Sequence, residues 1–188
     1  MKRSGFYICW FMLAATLSLS PVCAQKDKSS ANRGAIQPAG GQDRITREVR
    51  HELVMLPYYG VFDNLAYRVD GSTVTLLGQV TRPTLKSDAG NVVKRIEGVE
   101  KVDNQIQVLP LSPMDDRIRL AEYRAIYGQP PLDRYALQAV PPIHILVDNG
   151  KVALEGVVAN QGDKDIANVR ANTVSGVFSV VNNLRVEK

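Results

Sequence analysis

A short stretch of the sequence brings arginines and tyrosines together at helical spacing. The residues are Arg117, Arg119, Tyr123, Arg124 and Tyr127. Guanidinium groups bind lipid phosphates, and phenol rings settle at the headgroup level of a bilayer, so this stretch could contact a phospholipid surface. Because Asp115, Asp116 and Glu122 dilute the charge, the alternative is an ordinary core helix with a solvated polar face.

The sequence shows no pattern typical of catalysis or metal binding. The chain has two histidines, His51 and His144, which neither occupy matching repeat positions nor join a metal-ligand cluster. No serine or cysteine nucleophile motif accompanies them. The sequence therefore predicts that the chain is not an enzyme and uses no cofactor or metal.

The arginine and tyrosine stretch precedes the second copy of an internal repeat. Shifting residues 69–108 forward by 78 places them on residues 147–186 without a gap, and thirteen of the forty positions are identical. Three of the matched pairs are Gly78 with Gly156, Gly98 with Gly176, and Asn104 with Asn182. Glycine within a strand is typical of a bulge, glycine after a helix of a left-handed cap, and asparagine of a side chain that fixes nearby backbone. All six are predicted to be structural residues.

Each copy has the pattern α-β-β-α-β. Apolar alternation predicts hairpins at 65–80 and 143–158, the second with the favoured Asn149-Gly150 turn. Helices are predicted at 45–53, 84–96, 116–127 and 162–174, and closing strands at 101–108 and 178–186. The fold class is α+β, with two tandem domains, each a three-stranded mixed sheet covered on one face by two helices.

The aromatic segment PYYGVF at 57–62 has two interpretations. It could bind a partner, or it could pack over the end of its own sheet, as aromatic residues usually do. If Tyr59 and Asp63 match Tyr127 and Asp133, the second copy carries an insertion that includes Pro141-Pro142.

The N-terminus is typical of an export signal. A positively charged start precedes an apolar run over 6–19, and small residues close the segment. The run is short for a transmembrane helix, which needs about 20 apolar residues. We expect a signal peptide at 1–24, cleaved after Ala24, which removes Cys9 and Cys23. Lipidation of Cys23 is the weaker alternative, because Val22 precedes it.

The remaining chain divides into a linker and two domains. Residues 25–44 contain one large apolar residue, Ile36, and are predicted to be a disordered linker. The two domains are placed at 45–112 and 113–188. From Ile45 onward, basic and acidic residues balance at seventeen each, which argues against nucleic-acid binding.

Two pairs of motifs carry a family resemblance. They are VTLLGQV at 74–80 with GVEKVDNQIQV at 98–108, and VALEGVV at 152–158 with GVFSVVNNLRV at 176–186. In both copies this pattern resembles the BON domain family. The resemblance implies a periplasmic protein that binds phospholipid membranes or other envelope components without catalysis. The plan is similar to that of exported osmotic-stress and envelope-maintenance proteins of Gram-negative bacteria.

Two other functions stay open at this point. One is a protein–protein interaction module for an outer-membrane or secretion component, which would dock through a sheet face or by strand pairing at a sheet edge. The other is an intramolecular role, in which the two copies pack face to face as one unit.

Overall fold

The computed structural model describes residues 39–187. The first copy consists of α1 (Ala39–Val54), β1 (Asn64–Asp70), β2 (Thr73–Val80), α2 (Pro83–Val93), β3 (Lys101–Asn104) and β4 (Gln107–Val108). The second consists of α3 (Pro113–Tyr127), a 3₁₀ helix (Leu132–Leu137), β5 (Ile143–Asp148), β6 (Lys151–Val158), α4 (Gln161–Asn172), β7 (Ser179–Asn182) and β8 (Arg185–Val186). The predicted signal peptide lies outside the described residues. Among those residues, no helix is long and apolar enough to cross a membrane.

Both sheets are mixed, as the sequence predicts. In the first, β1 pairs antiparallel with β2, and β3 and β4 pair parallel with β2. In the second, β6 has the same relation to β5, β7 and β8. The helices of each copy pack against one another and against strands of their sheet. The predicted α+β class and repeated α-β-β-α-β order are confirmed.

Helix α1 begins earlier than the sequence pattern indicates. Residues 39–44, placed in the predicted linker, form its first turns. The reason is a set of contacts made by polar side chains. Gln42 Nε2 donates to the Val69 carbonyl at 2.9 Å, and an Arg44 guanidinium nitrogen donates to the Glu97 carbonyl at 2.8 Å. These contacts attach the first turns to the folded body without requiring apolar residues.

Each copy has its own hydrophobic core. In the first, Val49 and Leu53 of α1 lie with Leu85 of α2 over Val74 and Leu76 of the central strand. In the second, the corresponding cluster is formed by α3, α4, the 3₁₀ helix and the sheet; it includes Ile118, Ile126, Leu132, Ile143, Ile145, Val152, Leu154 and Ala167. Apolar burial at roughly 25 cal/mol per Å² is what holds such small units together.

The last strand of each copy is interrupted next to an asparagine. Asn104 Nδ2 donates to the Lys86 carbonyl at 2.8 Å, while its Oδ1 accepts from the Ile106 N–H at 3.2 Å. Asn182 makes the same two bonds, to the Lys164 carbonyl at 2.9 Å and from the Leu184 N–H at 3.1 Å. The side chain therefore joins the preceding helix to the backbone at the interruption.

We expect Asn182→Ala to lower the free energy of unfolding by about 2 kcal/mol, because the Leu184 N–H and the Lys164 carbonyl lose their partner. Urea denaturation followed by circular dichroism measures the change. The control is Asn183→Ala, since Asn183 is an exposed neighbour whose amide bonds to Glu155. That change should stay within about 0.5 kcal/mol. Equal losses in the two variants would contradict the bridging role.

The insertion in the second copy supplies a hydrogen-bond acceptor, the Tyr135 hydroxyl, in place of the Asp63 carboxylate of the first copy. In the first copy, Asp63 Oδ1 accepts from the Thr81 N–H at 2.7 Å. At the matching position of the second copy, the Ala159 N–H donates to the hydroxyl of Tyr135, on the 3₁₀ helix, at 2.9 Å. Tyr135, rather than the exposed Asp133, therefore corresponds to Asp63 in function. The match of Asp63 with Asp133 is not seen.

Candidate functional site

Helix α3, which carries the predicted lipid-binding residues, is fixed firmly at its start. Ser112 Oγ accepts from the Asp115 N–H at 3.2 Å, and Pro113 occupies a first-turn position where no N–H donor is needed. The buried Asp115 carboxylate accepts from the N–H groups of Asn149 and Gly150 at 3.0 and 2.9 Å. These bonds attach the helix to the β5–β6 turn.

The structure separates the five predicted residues instead of placing them on one outward face. Arg119 is 5 % exposed, and its guanidinium donates to the Val147 carbonyl at 2.7 Å and to Asp116 Oδ1 at 2.6 Å. Tyr127 is buried, and its hydroxyl donates to the Ile143 carbonyl. Burial raises the pKa of this phenol well above its usual range. Both residues hold α3 against the edge of β5 and are turned away from solvent.

Arg117 and Arg124 remain on the solvent side of α3. Between them lies Leu120, whose side chain is 51 % exposed. Within the part of the chain that the structure describes, neither arginine makes an ion pair. We call Arg117, Leu120 and Arg124 the outer stripe. It combines two unneutralised guanidinium groups with an apolar side chain, a composition suited to a phosphate-rich interface.

Tyr123 is intermediate between the buried residues of α3 and those of the outer stripe. It is partly buried, and its ring packs against Tyr127 at 5.1 Å and edge-on against Phe62 at 6.4 Å between centroids. Phe62 belongs to the aromatic segment 57–62 of the first copy, so this segment joins the two copies. The segment also supplies Tyr59, which stacks on His144 at 5.8 Å. It therefore packs against the second copy rather than only over its own sheet.

A buried carboxyl group on α3 escaped the sequence interpretation. Glu122 has no exposed surface, and neither carboxylate oxygen has a hydrogen-bond partner among residues 39–187. Burial raises the pKa of this carboxyl from 4.5 to about 8. In the structure, Ile45 and Ile118 each lie beside the glycine that follows the second helix of their copy, so Glu122 corresponds to the buried Val49.

The two histidines lie on different elements. His51 is exposed on α1, and His144 is buried on β5 with no partner for Nδ1 in the described part of the chain. Burial lowers the pKa of His144. Across residues 39–187, no group of three or more His, Cys, Asp or Glu side chains is placed to hold a metal ion.

Comparison with known proteins identifies the family. The BON domain model matches residues 42–110 and 132–188. The chain belongs to the BON domain family. Its second BON match begins after α3, whereas the first includes nearly all of α1. The outer stripe and Glu122 therefore belong to a helix that the family model does not cover.

Other comparisons add little to the BON assignment. No curated protein matches the chain significantly. Two solved structures of CdsD, a structural protein of the type III secretion system of Chlamydia trachomatis, are similar at low identity. One, of the C-terminal domain, is 14 % identical over 76 % of this chain and 96 % of the other, with a TM-score of 0.27. The second is 11 % identical over 77 % and 94 %, with a TM-score of 0.30. At these TM-scores the likeness carries no functional information.

Proposed function

We propose that this BON protein is a non-catalytic component of the cell envelope that binds anionic phospholipid surfaces through the outer stripe of α3. The observation that carries the proposal is the pair of exposed guanidinium groups flanking Leu120. The signal-like N-terminus supports a periplasmic location, as does the family. With so few exposed contacts, binding is expected to be weak and sensitive to salt.

The expected contributions are small but measurable. A basic side chain near an anionic membrane surface contributes about 1 kcal/mol, and this attraction decays over a Debye length of about 8 Å at physiological salt. We therefore expect Arg117→Ser/Arg124→Ser to reduce the partition coefficient onto vesicles rich in phosphatidylglycerol roughly thirtyfold at low salt. Co-sedimentation at two salt concentrations measures this loss.

The matched control removes the same charge from another surface. Arg68 and Arg95 are exposed residues of the first copy without ion pairs in the described chain, so Arg68→Ser/Arg95→Ser changes the net charge identically. The control variant should keep most of the wild-type binding. Equal loss in the two double variants would show that only net charge matters, and absence of wild-type binding at low salt would remove the lipid proposal.

A further inference from the structure

The outer edge of the second sheet is covered by a segment of the first copy. The Ile145 N–H of β5 donates to the Val61 carbonyl at 2.8 Å. Val61 and Phe62 pack against the second core, and the Phe62 ring meets Tyr123 of α3. The segment thus occupies the groove between α3 and the β5 edge and satisfies an outward-pointing backbone donor there.

The equivalent edge of the first sheet is open at the matching residue. By the 78-residue repeat and the strand registers, Leu65, Tyr67 and Val69 of β1 correspond to Ile143, Ile145 and Val147 of β5. The backbone groups of every second residue of an edge strand point outward, so these residues form the two matching edges. The Val69 carbonyl accepts from Gln42, as the Val147 carbonyl accepts from Arg119. For the Tyr67 N–H, the counterpart of the Ile145 donor, residues 39–187 provide no acceptor.

A cleft lies where the covering segment is missing. Counting along the helices from the matched Ile45 and Ile118, Arg50 corresponds to Tyr123 and Val54 to Tyr127. Arg50, Val54, Leu65 and Tyr67 line one wall of a cleft of about 800 Å³. The groove that holds Val61 and Phe62 in the second copy therefore has an empty counterpart in the first.

The charge around this cleft indicates the chemistry of an occupant. Arg50 and Arg185 both line it and are exposed, and neither makes an ion pair within the described residues. Glu155 also lines it and adds one anionic group, whose carboxylate accepts from the Asn183 side chain at 2.6 Å. His144 of β5 also lines the cleft, but its Nδ1 is buried. The cleft is thus lined by apolar side chains such as Leu53, Val54 and Leu65 together with two arginines and one glutamate, so cationic groups outnumber anionic ones.

We propose that this cleft binds an extended peptide segment of a partner protein. The segment adds to the β1 edge, with one of its carbonyls accepting from the Tyr67 N–H as Val61 does from Ile145. An aliphatic residue takes the place of Val61, and an acidic residue takes the place of Phe62, since Arg50 stands where α3 has Tyr123. This function is separate from lipid binding and uses a different part of the chain.

A short peptide based on the chain's own covering segment tests the proposal. The probe is the capped hexapeptide Gly-Val-Glu-Asp-Asn-Leu, which is the sequence of residues 60–65 with Glu in place of Phe62. A second peptide has Lys at that place. Each is titrated into the ¹⁵N-labelled chain, expressed from its full sequence, and followed by amide hydrogen exchange and chemical shifts. We expect the Glu peptide to slow exchange of the Tyr67 amide roughly tenfold and to leave that of Ile145 unchanged.

Charge reversal in the cleft provides the decisive comparison. Arg50→Glu should weaken the Glu peptide about fivefold and strengthen the Lys peptide by a similar factor, as expected for an exposed ion pair. The control is Arg68→Glu, because Arg68 lies on β1 but does not line the cleft. A spectrum that stays dispersed shows that each variant is folded.

Three outcomes would overturn the proposal. They are no binding of either peptide at millimolar concentration, binding without slower exchange at Tyr67, and Arg50→Glu affecting the two peptides alike. Vesicle co-sedimentation of Arg50→Glu separates this proposal from the lipid one. Since Arg50 is not part of the outer stripe, the effect on vesicles should match that of Arg68→Glu.

Discussion

Glu122→Val is expected to raise the free energy of unfolding by about 3 kcal/mol at pH 8, and by less at pH 5. Glu122 is fully buried with no partner for either carboxylate oxygen in the described chain. The first copy has Val49 at the corresponding position, also fully buried. The substitution gives the second core the residue type that the first already uses, at similar volume, and removes an unsatisfied polar group.

The pH dependence follows from the raised pKa of the carboxyl group. In the unfolded chain, Glu122 titrates near its ordinary value of 4.5, and in the folded chain near 8. Between these values the folded state binds the extra proton, so stability falls as pH rises through this window and levels off above it. The slope cannot exceed about 1.4 kcal/mol per pH unit for one group. Burial is the cause of the shift, since no charged partner contributes.

Urea denaturation at several pH values between 5 and 9 measures this effect. Glu122→Gln keeps the shape but cannot ionise, so it should lose the slope while keeping the cost of a buried polar group. Glu48→Gln is the control, because Glu48 is exposed on α1 beside Val49. If Glu122→Gln retains the wild-type slope, the carboxyl of Glu122 does not titrate in this range.

The elements of this fold could be predicted because they repeat. Alternation around two turns, the stripe of apolar residues on α2 and the recurrence of Gly98 and Asn104 at Gly176 and Asn182 give the order and type of nearly every element. Each of these signals is local, depending on the period of a strand or helix. Together they determine the α-β-β-α-β unit before any long-range contact is known.

The candidate site was less accessible to prediction because charged residues are usually assigned to the surface. Lys, Glu, Arg and Asp are rarely buried unless paired, so the sequence pattern places Arg119 among the lipid-binding candidates and counts Glu122 only as a charge that dilutes them. In the structure, Arg119 satisfies the backbone of β5, and Glu122 occupies a core position. Helical spacing alone places Arg117 and Arg124 on one side of α3. Which side of α3 faces the core, however, depends on contacts with the rest of the copy.

The sequence also does not reveal that a buried acidic residue and the insertion in the second copy depend on each other. Asp163 is buried where the first copy has Leu85, and it accepts from Arg134 and Tyr135 of the 3₁₀ helix. The repeat alignment treats this helix as an insertion without a counterpart. The polar residue and the insertion are nevertheless coupled, because the buried carboxylate requires the donors that the insertion supplies. A single sequence shows both changes but not their connection.

The substitution Gly156→Ala is expected to cost about 4 kcal/mol or more, a large part of the stability of a small domain. Gly156 has φ of +124°, a conformation that side-chain-bearing residues rarely adopt. An added Cβ would lie 1.9 Å from the Pro142 carbonyl oxygen. That oxygen accepts from the Val157 N–H at 3.2 Å, so moving it away also breaks a bond at the start of the hairpin.

The same geometry recurs in the first copy, so an equivalent substitution there provides an independent test. Gly78 has φ of +114°, and its added Cβ would lie 2.1 Å from the Asn64 carbonyl oxygen, so Gly78→Ala should cost a similar amount. Gly60→Ala is the control, because nothing lies within 4 Å of the added atom. Its effect should stay within about 1 kcal/mol. Urea denaturation of all three variants measures the costs, and a loss below about 1 kcal/mol for Gly156→Ala would show that the hairpin backbone can relax around the new side chain.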